Sequence, residues 1–420
     1  MQEVRSPVAL CIEPHPQQER TGPVPSTHHR PDDTTAGPAV PWLALGVLLT
    51  GLGTVLLGPI LPAISLRWHL TDQQTGPLFF AKFLGSFIGG ISVPRKLRWG
   101  IFSGTILSGL GFGAFGLATG LATGSLTLFI AGIGLGQIIA STNILAGRRY
   151  THQTGSALSS LNFFFSLGAV LTGLIVAALE PRFGLRNLLF YIAAAFLTTG
   201  LGGRLNWIAP NPDSRTREQK PAESTNTLTP RKLHPTIFIR FALFLFLYGG
   251  LETCLAGWLT TYTVRYSDAH LVGGQSAIVL LLIALTVGRA LSSIALRFVR
   301  ESTIQRLGLI LSFVFIAGLS TANHAAALSL WSILLGLSLA PFFPATFALL
   351  MHRNPTAREA GFILAVSGLG AAAFPWLMGI VSTHTGSLRE AMAVPAILTL
   401  LLLAVSFIRS EAHPTDTPSS

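Results

Sequence analysis

The sequence predicts an all-α polytopic membrane protein with twelve transmembrane helices in two pseudo-symmetric six-helix bundles. Half of its 420 residues are hydrophobic and only 11% are charged, whereas water-soluble domains carry about a quarter charged residues. Uncharged stretches long enough to cross a bilayer as helices recur along the chain. The charges between these stretches repeat, in the second half, the order that they have in the first. These observations exclude a soluble globular protein.

The basic balance of the chain, a net charge of +11, does not indicate nucleic-acid binding. The basic residues lie between apolar runs and form no continuous basic face. Cys11 and Cys254 are far apart, which excludes a disulfide framework and a multi-cysteine metal site. No glycine-rich phosphate loop, HExxH zinc motif or serine-histidine-acid arrangement is present. We therefore expect no cofactor, no metal and no enzymatic activity.

Five segments follow in order along the chain. We expect a disordered cytoplasmic tail over 1–39, a first bundle over 40–209, a cytoplasmic linker over 210–235, a second bundle over 236–408 and a cytoplasmic tail over 409–420. Residues 101–147 carry no charge and are too long for one span, so they should form a hairpin that turns within 118–125. The predicted spans cover 40–66, 76–93, two in 101–147, 154–179, 187–208, 236–264, 269–296, two in 307–352, 360–388 and 391–408.

The repeat of six spans and the basic residues predict the orientation. Basic residues precede each of the two uncharged segments that hold two spans. Arg95, Lys96 and Arg98 precede 101–147, and Arg297, Arg300 and Arg306 precede 307–352. An even-numbered repeat is parallel, so both halves enter the membrane from the same side. The positive-inside rule then places both termini in the cytoplasm. We also expect the protein to lie in the inner (plasma) membrane and to be a monomer. The loops of the opposite face hold Arg67, Arg182, Arg186, Arg265 and Arg389.

Charged side chains inside predicted spans cost about 2.5 to 3.5 kcal/mol each on insertion scales and so indicate function. Glu252 in span seven should lie roughly 20 to 24 Å from the cytoplasmic edge at the helical rise per residue, and Lys82 in span two at a similar depth. Three interpretations of Glu252 stay open: binding of substrate or protons in a wet cavity, an outer gate with Lys82, or a capped structural carboxylate. Lys82 has the alternative of extending to the outer interface, and we interpret Arg289 in span eight as an anchor at the cytoplasmic end.

Neutral polar and aromatic residues in the spans are further candidates for substrate binding, because polyols are bound by amides, hydroxyls and aromatic faces. Each has a structural alternative, since Asn and Gln also join helices and Trp marks interfaces. The candidates are Gln137, Asn143, Asn162, Tyr248, Trp258, Ser367 and Trp376.

Several motifs resemble the major facilitator superfamily and, within it, the fucose permease-like branch of sugar and proton symporters. They are GPILP (58–62), GIGLGQ with Asn143, SLNFFFSLG around Asn162, FLYGGLE with GWLTTY, TVGR ending at Arg289, and GLSLAPFFP ending at Pro344. The resemblance implies that spans one, four, seven and ten line a central cavity. Span one has no carboxylate, however, and span four has Gln137 where an acid could stand. Glu252 would have to carry protons alone, or transport is facilitated or coupled to another ion.

The function predicted from the sequence is secondary active or facilitative transport of a small polar organic solute, most simply a sugar, by alternating access. An efflux carrier for amphipathic compounds is the first alternative, favoured by Phe342 and Phe343. A non-transporting membrane receptor or scaffold is the second, favoured by the scarcity of carboxylates in the membrane.

Overall fold

The computed structural model describes residues 37–149, 154–208, 233–267, 271–295, 298–351, 353 and 355–407. The predicted tails lie outside these residues, apart from 37–39, and so does the predicted linker, apart from 233–235. Gly37–Pro38 (β1) pairs antiparallel with Trp207–Ile208 (β2), which ties the end of the first predicted tail to the end of the sixth span.

The rest of the described chain is almost entirely helical, and its helices fall into two sets. The first set is α1 (Val40–Val55), α2 (Leu57–Trp68), α3 (Asp72–Ile91), α4 (Leu97–Leu117), α5 (Leu121–Arg149) and α6 (Thr154–Leu205). The second set is α7 (Pro235–Tyr266), α8 (Leu271–Ala295), α9 (Glu301–Thr321), α10 (Ala325–Leu339), α11 (Phe342–Met351), α12 (Ala357–Thr385), α13 (Leu388–Ala391) and α14 (Ala393–Phe407).

The helices account for twelve membrane crossings. Within the described residues nine helices are long and apolar enough to span, and α1 with α2 forms a further span bent by 43°. One of the nine is α6, which Gly184 divides into spans five and six by adopting a φ of 76°, a conformation that favours glycine. The remaining span is α3, which is 20 residues long and carries Asp72 and Lys82. The hairpin turn predicted within 118–125 lies between α4 and α5, at 118–120.

Proline accounts for the break in span one. Pro59 has no N–H to donate to the carbonyl of Val55, and its ring collides with that carbonyl in a straight helix, so α1 ends at Val55. Pro341 has the same effect between α10 and α11. The two breaks do not correspond under the six-span repeat, because one lies in the first span of the first half and the other in the fourth span of the second half.

Packing inside the two halves follows the same scheme six spans apart. In the first half α3 packs on α5, α1 on the first part of α6, and α4 on its second part; in the second half α8 packs on α10, α7 on α12, and α9 on α14. Glycine permits the closest contacts. A Cβ at Gly132 of α5, for example, would collide with the backbone carbonyl of Lys82 on α3.

Successive spans run in opposite directions and therefore define two faces of the bundle. We call the face where α1 and α7 begin and α14 ends the terminal face, and the opposite one the distal face. The halves meet where α3 packs on α12, α2 on α7 and α6 on α8. A cavity lies between them.

Candidate functional site

The cavity has a volume of about 240 Å³ and is lined by both halves of the chain. The first half contributes residues of α1, α2, α3, α5 and α6, and the second contributes residues of α7, α8 and α12. Three charged side chains line it among the described residues, namely Lys82, Glu252 and Arg289. Most of the remaining wall is apolar and includes the rings of Phe79, Phe83 and Phe165.

Lys82 is the charged group of the first half. Its side chain is only 2% exposed, and its Nζ donates a hydrogen bond to the backbone carbonyl of Thr54 at 2.5 Å. The same Nζ lies 4.5 Å from the centre of the Phe83 ring, within cation–π range. No carboxylate lies within ion-pair distance of Lys82 in the part of the chain that is described. Lys82 therefore stays inside the protein instead of extending to the outer interface.

Glu252 and Arg289 form the charged group of the second half. Arg289 Nη2 on α8 donates to Glu252 Oε1 on α7 at 3.0 Å. The side chains are 33% exposed for Glu252 and 26% for Arg289 although both belong to membrane spans, because they face the cavity. A cavity with partly exposed charges of this kind is a place for water or a polar ligand. The structure thus pairs Glu252 with Arg289 and not with Lys82, the partner in one of the three interpretations that the sequence left open.

The direction of α8 explains why Arg289 is not a cytoplasmic anchor. A side chain leaves a helix tilted toward the helix N-terminus, and α8 begins at the distal face. Arg289 therefore extends away from the terminal face and toward the level of Glu252. Its position near the C-terminal end of α8 suggested an interfacial side chain, but the geometry directs it into the cavity.

Tyr248 lies one turn before Glu252 on α7, on the same side of the helix. It is 3% exposed, and its ring stacks on Phe342 with 4.8 Å between centroids. Its hydroxyl is close enough to Glu252 and Arg289 to interact with both charges, yet no acceptor or donor among the described atoms completes a hydrogen bond with it. Phe342 and Phe343 pack around this ring and do not line the cavity.

The other predicted site residues separate into two groups. Ser367 lines the cavity, but its hydroxyl donates to the carbonyl of Leu364 in its own helix. Gln137 accepts a hydrogen bond from Ser103 and so joins spans three and four, while Asn143 and Asn162 are exposed away from the cavity lining. Span ten, which the family resemblance placed in the lining, contributes no described residue to it and packs behind Tyr248 instead.

Trp258 and Trp376 lie between the halves, on the distal side of the cavity. The Trp258 ring stacks on Phe79 of α3 with 6.2 Å between centroids, and its Nε1 donates to the carbonyl of Pro375 at 3.0 Å. The Trp376 ring packs on Phe80 and against the backbone of Gly76. Both tryptophans therefore contribute to closing the space between the halves.

A set of hydrogen bonds joins the halves at the distal face, and we call it the distal seam. Arg265 of α7 binds both carboxylate oxygens of Asp72 on α3, at 2.5 and 2.6 Å, and Ser382 of α12 donates to the same carboxylate at 2.5 Å. The remaining contacts are Gln73 N to Thr383 Oγ1 at 2.9 Å and Gln275 Nε2 to the carbonyl of Pro59 at 2.9 Å. The distal entrance to the cavity is closed in this conformation.

Local sequence places Asp72 at the seam. Thr71 and Gln74 form a capping box that starts α3, so Asp72 occupies the first turn, where the helix dipole favours an acidic side chain. From the sequence, Arg265 is expected in a loop of the opposite face, and no pattern singles out Asp72. Both residues belong to the same predicted face, but only the folded chain shows that they are adjacent.

Comparison with known proteins identifies the family. A model of the Major Facilitator Superfamily matches residues 43–359. The chain belongs to the Major Facilitator Superfamily. Its apolar helices make it a multi-pass membrane protein of this superfamily. The solved structures agree with the fold: it is similar to an inward-facing bacterial homologue of the human lysosomal transporter Spinster (TM-score 0.68, 14% identity, 87% of this chain and 95% of that one).

Another similar structure is the superfamily transporter FucP in its outward conformation, with a TM-score of 0.58 and 18% identity over 89% of this chain and 99% of that one. At this identity the likeness shows the fold alone, so the fucose permease-like branch is not established. Several curated relatives are named as transporters of aromatic acids. The 4-hydroxybenzoate transporter of Pseudomonas putida is 33% identical over 153 residues, which are 34% of this chain and 33% of that protein.

The gentisate transporter of Corynebacterium glutamicum is 24% identical over 403 residues, covering 84% of this chain and 86% of that protein. A gallate transporter of Pseudomonas putida is 27% identical over 170 residues, or 39% of this chain and 37% of that protein. The match to the 4-hydroxybenzoate transporters spans only about a third of their length. These relatives share a named solute class, the aromatic acids, which differs from the sugar expected from the sequence.

Proposed function

We propose that the protein transports aromatic carboxylates across the membrane by alternating access, with the cavity between the halves as the binding site. The observation that carries the proposal is Lys82, a buried cation that lines the cavity and has no carboxylate partner among the described residues. The names of the curated relatives support the same solute class.

Charge is the first argument for a carboxylate. With Lys82 protonated, the lining holds two cations, Lys82 and Arg289, and one anion, Glu252, so one positive charge is uncompensated. An unpaired charge in a low-dielectric site is costly, and a ligand carboxylate would compensate it with a charge-assisted hydrogen bond. A neutral sugar would leave the cost in place.

The wall of the cavity is the second argument. Phe79, Phe83 and Phe165 offer faces and edges on which an aromatic ring can pack. The amides that would suit a sugar lie elsewhere: Gln137 binds Ser103, and Asn143 and Asn162 are outside the lining. An aromatic carboxylate therefore fits the arrangement better than a polyol does.

Uptake into proteoliposomes tests the proposal. Labelled 4-hydroxybenzoate should accumulate in vesicles with the protein and not in empty ones, and labelled hexoses should not. Lys82→Gln should raise the concentration for half-maximal uptake about 10- to 100-fold, since a hydrogen bond to a charged group contributes about 1.5 to 3 kcal/mol. Lys82→Arg should retain part of the affinity, and Arg67→Gln, which removes an exposed charge far from the cavity, is the matched control.

Because Lys82→Gln removes an unpaired buried charge, its thermal unfolding temperature should not fall. Uptake of hexoses instead of aromatic acids would support the prediction that the substrate is a sugar. Uptake of neither class would favour a receptor or scaffold. Normal affinity of Lys82→Gln for 4-hydroxybenzoate would rule out the role given to Lys82.

We also propose that the terminal face is cytoplasmic and that the protein works as a monomer in the plasma membrane. The basic residues favour this orientation, and the cavity lining comes from the two halves of one chain. A tag in 210–235 should be reached by an impermeant reagent only after the cells are opened.

Glu252 is our candidate for coupling to protons, since it lines the cavity in a membrane span. In proteoliposomes an inward proton gradient should stimulate uptake by the wild type and have no effect on Glu252→Gln. Equal stimulation of both proteins would assign coupling to another group, and no stimulation of either would indicate facilitated transport or a different ion.

A further inference from the structure

The second half presents unused hydrogen-bonding capacity opposite Lys82. Glu252 Oε1 accepts from Arg289, while Oε2 has no hydrogen-bond partner in the described part of the chain. The Tyr248 hydroxyl and Arg289 Nε also have no hydrogen-bond partner there, but both atoms are buried, and Tyr248 is not among the residues that line the cavity. Glu252 does line the cavity, so its Oε2 is the free acceptor that the second half presents to a ligand. Polar atoms in such a site are seldom left unpaired, so Oε2 is suited to a donor group of the ligand.

The charge of Glu252 limits which group that can be. A carboxylate would meet Arg289 but would be repelled by Glu252, whereas a hydroxyl can donate to Glu252 Oε2 and accept from Arg289. Lys82 on the other half has no such anion beside it. The two ends of the cavity therefore differ in what they accept: a carboxylate at Lys82 and a hydroxyl at Glu252.

We propose that Glu252 is a specificity-determining residue that binds a ring hydroxyl of the substrate, and that the buried Tyr248 hydroxyl beside it is a positioning group for its carboxylate. This inference rests on the proposed transport of aromatic carboxylates. A hydroxylated substrate bound in this way contacts α3 through its carboxylate and α7 through its hydroxyl. Its ring packs against the phenylalanines between them, and the substrate connects the two halves.

Competition in a counterflow assay tests the proposal. Proteoliposomes loaded with unlabelled 4-hydroxybenzoate exchange it for the labelled compound without a gradient, so that loss of coupling does not affect the readout. Benzoate and terephthalate are the competitors: the first lacks the hydroxyl, and the second replaces it with a carboxylate. For the wild type, the half-inhibitory concentrations of both should exceed that of unlabelled 4-hydroxybenzoate roughly tenfold or more.

In Glu252→Gln the ratio of the half-inhibitory concentration of benzoate to that of 4-hydroxybenzoate should fall toward one. The half-inhibitory concentration of terephthalate should also fall, because the repelling charge is gone. Lys82→Gln should weaken benzoate and 4-hydroxybenzoate by the same factor and leave their ratio unchanged. Tyr248→Phe, which leaves no charge unpaired, should lower the ratio by a smaller factor. If Glu252→Gln does not fold, the Tyr248→Phe variant alone tests the proposal.

Three outcomes would overturn the proposal. They are a wild-type ratio near one, an unchanged ratio in Glu252→Gln or Tyr248→Phe, and a half-inhibitory concentration of terephthalate equal to that of 4-hydroxybenzoate. Absence of any exchange of 4-hydroxybenzoate would instead contradict the proposed function itself. The two failures are therefore distinguishable in one experiment.

Discussion

The distal seam and the cavity both contain an arginine–carboxylate pair, but the pairs connect different parts of the molecule. Arg265 and Asp72 join the two halves, whereas Arg289 and Glu252 belong to neighbouring helices of one half. In alternating access the halves rock as units around a central site. Under the proposed function the seam pair would break in each cycle, while the cavity pair could persist. Similar chemistry would then serve a gate in one place and a binding surface in the other.

The strongest test of this comparison is to prevent the seam from opening. Gln73 N lies 2.9 Å from Thr383 Oγ1, so cysteines at both positions should cross-link across the halves. In a Cys11→Ser background, oxidation of Gln73→Cys/Thr383→Cys should reduce 4-hydroxybenzoate uptake to the level of empty vesicles. A reducing agent should restore uptake.

Each single cysteine variant, oxidised in the same way, is the control and should keep its activity. Undiminished transport by a fully cross-linked protein would show that the distal face does not open. The buried Cys254 can remain, because its thiol is inaccessible.

A smaller effect is expected when the two halves are kept from closing beside the cavity, which Gly58 and Ala256 both line. A Cβ at Gly58 of α2 would collide with the backbone carbonyl of Ala256 on α7, across the halves. Gly58→Ala should lower the uptake rate about tenfold, since overpacking costs about 1 to 3 kcal/mol. Labelling of a cysteine at Thr383 by an impermeant maleimide should increase at the same time.

Gly46→Ala on α1 is the matched control, because nothing lies within 4 Å of the added Cβ. Equal uptake rates for the two alanine variants would argue against tight contact between Gly58 and Ala256 during transport.

Breaking the seam pair itself should have a moderate effect. Asp72 is 8% exposed but Arg265 is 41% exposed, and solvent weakens an exposed pair. Asp72→Asn should lower the uptake rate about threefold to tenfold and increase labelling at the distal face. Arg265→Asp combined with Asp72→Arg should recover part of the loss. A double variant worse than both single ones would speak against a direct pairing role.

The smallest effects are expected at residues that the sequence nominated and the fold placed outside the cavity. Asn143→Ala and Asn162→Ala should change uptake and half-inhibitory concentrations by less than about twofold, because exposed substitutions away from a site cost little. A larger change, for either variant, in the ratio of the half-inhibitory concentrations of benzoate and 4-hydroxybenzoate would show that the binding surface extends beyond the described lining.

Much of the fold was predictable because the membrane imposes it. Long uncharged runs must become helices to satisfy their backbone hydrogen bonds, so the span count, the hairpin in 101–147 and the two-half architecture followed from composition and charge spacing. The predicted tails and linker lie mainly outside the described residues and stay predictions.

The site was only partly predictable. Glu252 and Lys82 were found because charges in membrane spans are rare. Arg289 was placed at the cytoplasmic end because spacing along a helix does not report the direction of a side chain. Gln137, Asn143 and Asn162 satisfied the same chemical criteria as true lining residues, and their orientation in the bundle excluded them.

Sequence alone determined that this chain spans a membrane twelve times in two matched sets, since hydropathy and charge act locally along the chain. Tertiary structure alone decided which charges meet. Asp72 and Arg265 lie 193 positions apart and Glu252 and Arg289 lie 37 apart, and helix packing and rotation bring each pair together. Those same rotations leave Lys82 without a carboxylate partner in the described cavity, the feature on which the proposed substrate class depends.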